Sequence, residues 1–190
     1  MRTHNTGFTL IELLVVITII GVLASVTLAS LNDAREGAKV TSAINDLRGI
    51  KTRSAIFLNH TNTYPPDCYA SCGPSNDPFI NSFGVDGWRG PYEPMWDLVH
   101  PWGGGYGMIT YDANQNGTIQ VLIYMDDDEP FTNFANNQGR IPLEQLIKLD
   151  ETLDDGDLST GDFVGDGRDS IGAGGSALSV EGEAIWMTTF

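Results

Sequence analysis

The residues whose types and spacing could do chemistry fall into one Asp/Asn cluster, two carboxylate clusters, a cysteine pair and one isolated glutamate. Asp112-x-Asn114-x-Asn116-Gly117 sets three oxygen-bearing side chains two residues apart ahead of a glycine, the opening of a twelve-residue calcium loop. The twelfth position of such a loop needs a bidentate glutamate, and here it is Ile123, so a plain turn between strands stands beside the calcium reading. A second cluster runs Asp154-Asp155-Gly156-Asp157-Leu158-Ser159-Thr160-Gly161-Asp162 and continues through Gly165-Asp166-Gly167-Arg168-Asp169. Hard cations take several oxygen ligands on a sharply bent backbone, and this stretch supplies both. Asp155, Asp157 and Asp162 are its candidate ligands, against the rival reading of a solvated acidic loop. The third cluster, Asp126-Asp127-Asp128-Glu129, is four adjacent carboxylates that repel one another unless cations collect there.

Cys68 and Cys72 are the only cysteines and lie in a Pro/Gly/Ser-rich stretch. Outside the reducing cytoplasm such a pair reads as a local disulfide; two free thiols are the alternative. A zinc site would need two more ligands, and His60 and His100 stand apart without metal-like spacing. Catalytic constellations are not apparent. Gly174-Gly175-Ser176-Ala177-Leu178 departs from the nucleophile elbow at its last place, and the glycines around it follow no strand and open no helix, so the reading is non-enzymatic.

The isolated glutamate is Glu12, five places into the run from Phe8 to Leu31, which is otherwise apolar, small or hydroxylic. As a helix those 24 residues span roughly 36 Å, against a bilayer hydrocarbon core of about 30 Å. A carboxylate inside a membrane helix is costly unless it finds a partner, which makes Glu12 a functional candidate. The leader before the run is short and carries Arg2; the small residue suited to cleavage, Gly7, precedes the apolar stretch instead of following it, so the run survives processing. The positive-inside tendency places the leader in the cytoplasm and everything after Leu31 outside.

Charge is distributed unevenly along the chain. Net charge is −15 overall, yet residues 1–60 carry six bases against four acids, while residues 61–190 carry four bases against 21 acids. That acidic part should repel nucleic acid and attract divalent cations.

Beyond the membrane run, Val40, Ile44, Leu47, Ile50, Phe57 and Leu58 recur near helical spacing, with Arg35, Lys39, Arg48, Lys51 and Arg53 largely between them. The helix is expected to end near Leu58, before Tyr64-Pro65-Pro66. Gly107 to Tyr111 and Thr118 to Tyr124 predict a hairpin, Pro142 to Leu153 an amphipathic helix buried through Leu143, Leu146, Ile147 and Leu153, and Glu183 to Phe190 a last strand on the same sheet. Trp88, Tyr92, Trp96, Trp102 and Tyr106 read as aromatics packing an irregular segment onto the head, with a carbohydrate platform as the rival. The fold class is α+β: one long N-terminal helix against a small antiparallel sheet in a loop-rich head.

Gly7-Phe8-Thr9-Leu10-Ile11-Glu12 followed by the apolar run resembles the class III signal of type IV pilins and type II secretion pseudopilins. Gly90-Pro91-Tyr92 and His100-Pro101-Trp102-Gly103-Gly104-Gly105-Tyr106 resemble, more loosely, signatures of the major pseudopilin. The resemblance implies cleavage by a prepilin peptidase after Gly7, methylation of the new N-terminal Phe8, and pairing of Glu12 with the terminal amine of a neighbouring subunit. It further implies an inner-membrane precursor with its head outside, handed by an assembly platform into a homo-oligomeric helical filament at the cell surface or in the periplasm. A calcium site in the C-terminal part of the head belongs to the same picture. Ala29 stands where many members carry a helix-kinking proline. The organisation expected is a leader over 1–7, a membrane and filament-core half-helix over 8–31, a head-packing half-helix over 32–60 and the head over 61–190. The rival of another class is a membrane-tethered glycan- or calcium-binding domain.

Overall fold

The computed structural model describes residues 9–68, 75–92, 99–111, 120–126, 141–166 and 183–188. The chain divides into two compact units, Met1–Ala38 and Lys39–Phe190. Helix α1, Leu10–Thr61, is 52 residues long and enters both; it ends three residues past the expected Leu58 and runs unbroken through Ala29.

Within the first unit the helix leaves its apolar side chains uncovered, from Leu10 at 82% exposure to Leu31 at 47%. Its polar side chains are satisfied internally: the hydroxyls of Thr18, Ser25, Thr27 and Ser30 donate to the carbonyls of Val15, Val22, Ala24 and Val26 at 2.8, 2.8, 2.9 and 3.1 Å. That is how a helix keeps hydroxyls in surroundings that offer no other partner.

In the second unit α1 buries Val40, Ile44, Leu47, Ile50 and Phe57 of the stripe that the helical spacing predicts, adds Ala43, and leaves Leu58 half-buried. Arg53 departs from expectation, because it is buried with that stripe. Its Nε donates to the Gly49 carbonyl at 3.1 Å and its guanidinium lies 5.6 Å from the centre of the Phe79 ring. Gly49 is what makes room, since a Cβ there would come within 3.2 Å of the guanidinium.

The sheet is four-stranded and antiparallel, β1 Gly105–Tyr111, β2 Gln120–Asp126, β3 Phe163–Asp166 and β4 Glu183–Thr188, in the order β1-β2-β4-β3. The hairpin and the last strand lie where the sequence puts them, with the second strand shifted two residues along. β3 was not expected. Its four residues carry a glycine and an aspartate and fall inside the Asp/Gly stretch. Pairing with β4, from Phe163 opposite Trp186 to Asp166 opposite Glu183, makes the strand, and that pairing is non-local.

At the other edge Cys68 exchanges two backbone hydrogen bonds with Met108, at 2.7 and 2.6 Å. Asp67 reinforces the join by accepting from both the N–H and the hydroxyl of Thr110 at 2.8 and 3.0 Å. Cys68 is disulfide-bonded, and Cys72 lies outside the described residues. The aromatic segment packs inward: Tyr92 and Tyr106 are buried, Trp88 and Trp102 half-buried against the core, and Trp96 lies outside the described residues.

Helix α2, Leu143–Leu153, begins one residue after Pro142. Its buried residues are Gln145, Leu146, Leu149 and Asp150, while Leu143, Ile147 and Leu153 are half-buried. The buried face is therefore turned from the one the aliphatic spacing predicts, and it carries a carboxylate inward.

Candidate functional site

Among the described residues two places collect candidate functional side chains, one in each compact unit. The first is the start of α1. Thr9 occupies the N-cap position and Glu12 the third helical position. Glu12 Oε2 accepts from the Thr9 N–H at 2.8 Å and from the Thr9 hydroxyl at 2.7 Å, while the Glu12 N–H donates to Thr9 Oγ1 at 3.3 Å. This reciprocal capping box satisfies two N-terminal donors and holds one carboxylate oxygen against its own helix end. Ile11, Val15 and Val16 line an open apolar groove beside that carboxylate. Gly7 and Phe8 lie outside the described residues. Thr9 was not among the residues expected to matter here, although Thr-x-x-Glu is a capping signature legible in the sequence.

The second place is the loop that leaves α2. Asp150, Asp154 and Asp155 bring one carboxylate oxygen each to within 4.8 Å of one another. Asp154 Oδ2 accepts from the backbone N–H of Asp162 and, at 3.3 Å, from that of Phe163, which ties the loop to the start of β3. Gly161, at φ +79°, is required there because a Cβ would collide with that same oxygen. Asp155 accepts from the Asp157 N–H at 2.9 Å and from the Thr160 hydroxyl at 3.0 Å. Asp157 accepts from the Ser159 N–H and hydroxyl at 3.0 and 2.6 Å, which hold its carboxyl below the usual range. Leu158 is buried and pins the middle of the loop.

Asp150 is different in kind. Its side chain is fully buried and, among the described residues, neither oxygen has a hydrogen-bond partner of good geometry. Burial first, and then the Asp155, Asp154 and Asp157 carboxylates, push its carboxyl up to about 6, tempered only by a loose approach of the Gly156 N–H. A buried carboxylate without a partner beside two more carboxylates is an arrangement that a hard divalent cation would complete.

Of the three ligand candidates read in this stretch, Asp155 belongs to the cluster. Asp157 and Asp162 shape the loop through Ser159 and Asp154 instead. Asp150 and Asp154 were not among those candidates, Asp150 because the helix periodicity gives no sign that a polar position turns inward. Asp112, Asn114 and Asn116 lie outside the described residues, as do Asp127, Asp128 and Glu129.

Comparisons with known proteins bear on the first place, the start of α1. Residues 2–28 match the prokaryotic N-terminal methylation motif. Over 139 residues, 70% of this chain and 85% of the relative, the chain is 28% identical to type II secretion system core protein G of Dickeya chrysanthemi. It is likewise 28% identical over 135 residues to the core protein G of Pectobacterium carotovorum subsp. carotovorum, 68% of this chain and 81% of that one. To the type IV major pilin protein PilE1 of Neisseria gonorrhoeae it is 44% identical over 61 residues, 32% of this chain and 37% of the pilin. No solved structure matches the chain significantly.

Proposed function

We propose, from the premise that this chain belongs to the type IV pilin and type II secretion pseudopilin family, that it is a structural subunit of a pseudopilus-like filament. The observation that carries this reading is the uncovered apolar half of α1 opening on the Thr9–Glu12 cap, inside the stretch that matches the methylation motif. Such a surface suits two environments in turn, the bilayer before assembly and the packed helices of neighbouring copies afterwards. A prepilin peptidase cuts after Gly7, and the freed amine of Phe8 in one copy meets the Glu12 carboxylate of another. A buried carboxylate needs a positive partner, and an amine created only by processing supplies one at the moment of assembly. The similarity to core protein G extends over most of the head, which favours a secretion pseudopilus above an adhesive pilus. The division into leader over 1–7, core half-helix over 8–31, packing half-helix over 32–60 and extracytoplasmic head over 61–190 follows from the same reading. So do the partners, namely identical copies, the peptidase and an inner-membrane assembly platform.

The unpartnered Asp150 favours a second element, a calcium ion held by Asp150, Asp154 and Asp155. The ion would supply the positive charge that this buried carboxylate lacks. Asp157, Gly161 and Leu158 would keep the loop folded around it. Electron microscopy of cells expressing the chain with and without its prepilin peptidase tests the filament reading: filaments in the first and none in the second are expected, and equal numbers in both would overturn it.

A further inference from the structure

We propose that the loop from Phe83 to Asp86 of one copy docks on the Arg48 face of α1 in the next copy, a contact that rests on the filament reading above. Thr41, Asn45, Arg48, Thr52 and Ile56 are all exposed and fall at successive turns of the helix, on the face away from the buried stripe. Arg48 is the charge at the centre of this face, and its guanidinium makes no ion pair or hydrogen bond among the described residues.

The loop offers the complementary chemistry. Among the described residues of the Lys39–Phe190 unit the exposed large apolar side chains are Ile56 at 42%, Phe83 at 52% and Val99 at 41%. Phe83 is held at φ +45°, a left-handed conformation that costs a bulky residue on the order of 1–2 kcal/mol, with its ring turned to solvent. The turn is fixed by the Val85 N–H donating to the Ser82 carbonyl at 2.9 Å and by Gly87, at φ +81°, packed on the His60 carbonyl where a Cβ would lie 2.5 Å away. Asp86 is exposed beside it. A rigid knob of one aromatic and one acid thus faces a helix side of one aliphatic and one base.

Charge and geometry both select a second copy as the occupant. Residues 61–190 carry 21 acids against four bases, so head-to-head contact between identical copies is repulsive unless a base on the helix takes part. Within one copy the knob is anchored at the last turn of α1, twelve residues or roughly 18 Å of helix beyond Arg48. Asp86 and Arg48 come level only between copies staggered along α1 by roughly 10–20 Å. A contact between two different patches repeated with such a stagger is heterologous and does not close, which makes a filament and no ring.

The test uses the full chain in cells that assemble it, comparing Arg48→Glu, Asp86→Lys and the double variant by the yield of sheared filaments. Each single reversal should lower the yield by about tenfold or more, and the double should recover to within about threefold of the parent. Parental yields from the singles, or a double no better than either single, would overturn the contact while the assembling parent keeps the filament reading intact. Absence of filaments from the parent overturns that reading and this contact with it. Should a reversed chain fail to accumulate, Thr52→Cys with Phe83→Cys decides: oxidation of filaments gives a ladder of covalent oligomers if the contact exists, and monomers overturn it.

Discussion

Asp150 and Asp155 bring carboxylate oxygens to within 4.8 Å of each other at the end of α2, one side chain fully buried and the other exposed. The pair is the point at which the fold of the head and its densest described carboxylate cluster meet. Burial disfavours the charged form of Asp150, and the neighbouring acids disfavour it further, so the folded head stores an electrostatic cost at neutral pH that a cation can relieve.

The first prediction is a pH dependence that calcium abolishes. In chelator, Asp150 titrates near 6 in the folded head and near 3.8 when unfolded, so between those values the folded state holds the extra proton. The contribution of Asp150 to stability is therefore most favourable below about pH 4 and is lost as pH rises through about 6, by on the order of 2–3 kcal/mol. Thermal melts of a soluble fragment beginning at Asn32 should show that fall in chelator, and a raised melting temperature on adding millimolar calcium at pH 7. A melting temperature indifferent to calcium would remove the ion from the account.

Asp150→Asn separates the ion from the fold. Removing the charge without changing the shape should stabilise the chelated fragment at pH 7 by about 1–3 kcal/mol and erase its response to calcium. A variant that still gains stability from calcium as the parent does would show that Asp150 is no ligand.

How much of this was legible in the sequence depends on the range over which each feature is determined. The membrane run, Glu12 and the β1–β2 hairpin are local patterns of apolarity and period, and each element formed within a few residues of its expected bounds. β3 is four residues made a strand by β4, twenty positions away, and its own composition says loop. Arg53 and Asp150 carry charges, and charge predicts exposure; Arg53 is buried against the distant Phe79 ring, whereas the Asp154–Asp155 loop beside Asp150 gives no such compensation and raises the cost of its charge. Aliphatic spacing thus located α2 correctly and misjudged which face it buries, and of the carboxylate cluster beside it the sequence pattern marks exposed Asp155 and gives no sign of buried Asp150.

At the N-terminus, Glu12→Val should leave membrane insertion intact, since it makes the run more apolar, and should abolish filament formation. Fractionation and electron microscopy of the same cells check both halves. Normal filaments from this variant would count heavily against a charge pair between copies. Mass spectrometry of the assembled chain should in turn find N-methylated Phe8 as its first residue; an intact leader, or a cut between Ala24 and Ala29, would sink the processing scheme.

The last prediction concerns the sheet that carries the head. Gly107 lies directly opposite Tyr124 in the β1–β2 register, and the phenol ring of Tyr124 covers the Gly107 α-carbon so closely that an added Cβ would meet the ring carbon bearing the hydroxyl at 1.9 Å. Tyr124 is itself buried, so the ring has no free volume into which to withdraw. Gly107→Ala should therefore destabilise the head by about 1–3 kcal/mol through overpacking, although alanine is the better strand residue by propensity. The interaction is tested by a double-mutant cycle with Tyr124→Ala: once the ring is gone the alanine at 107 should cost nothing or stabilise slightly. If Gly107→Ala were equally harmful with and without the Tyr124 ring, the backbone at 107 would be the cause and the ring contact would be irrelevant to it.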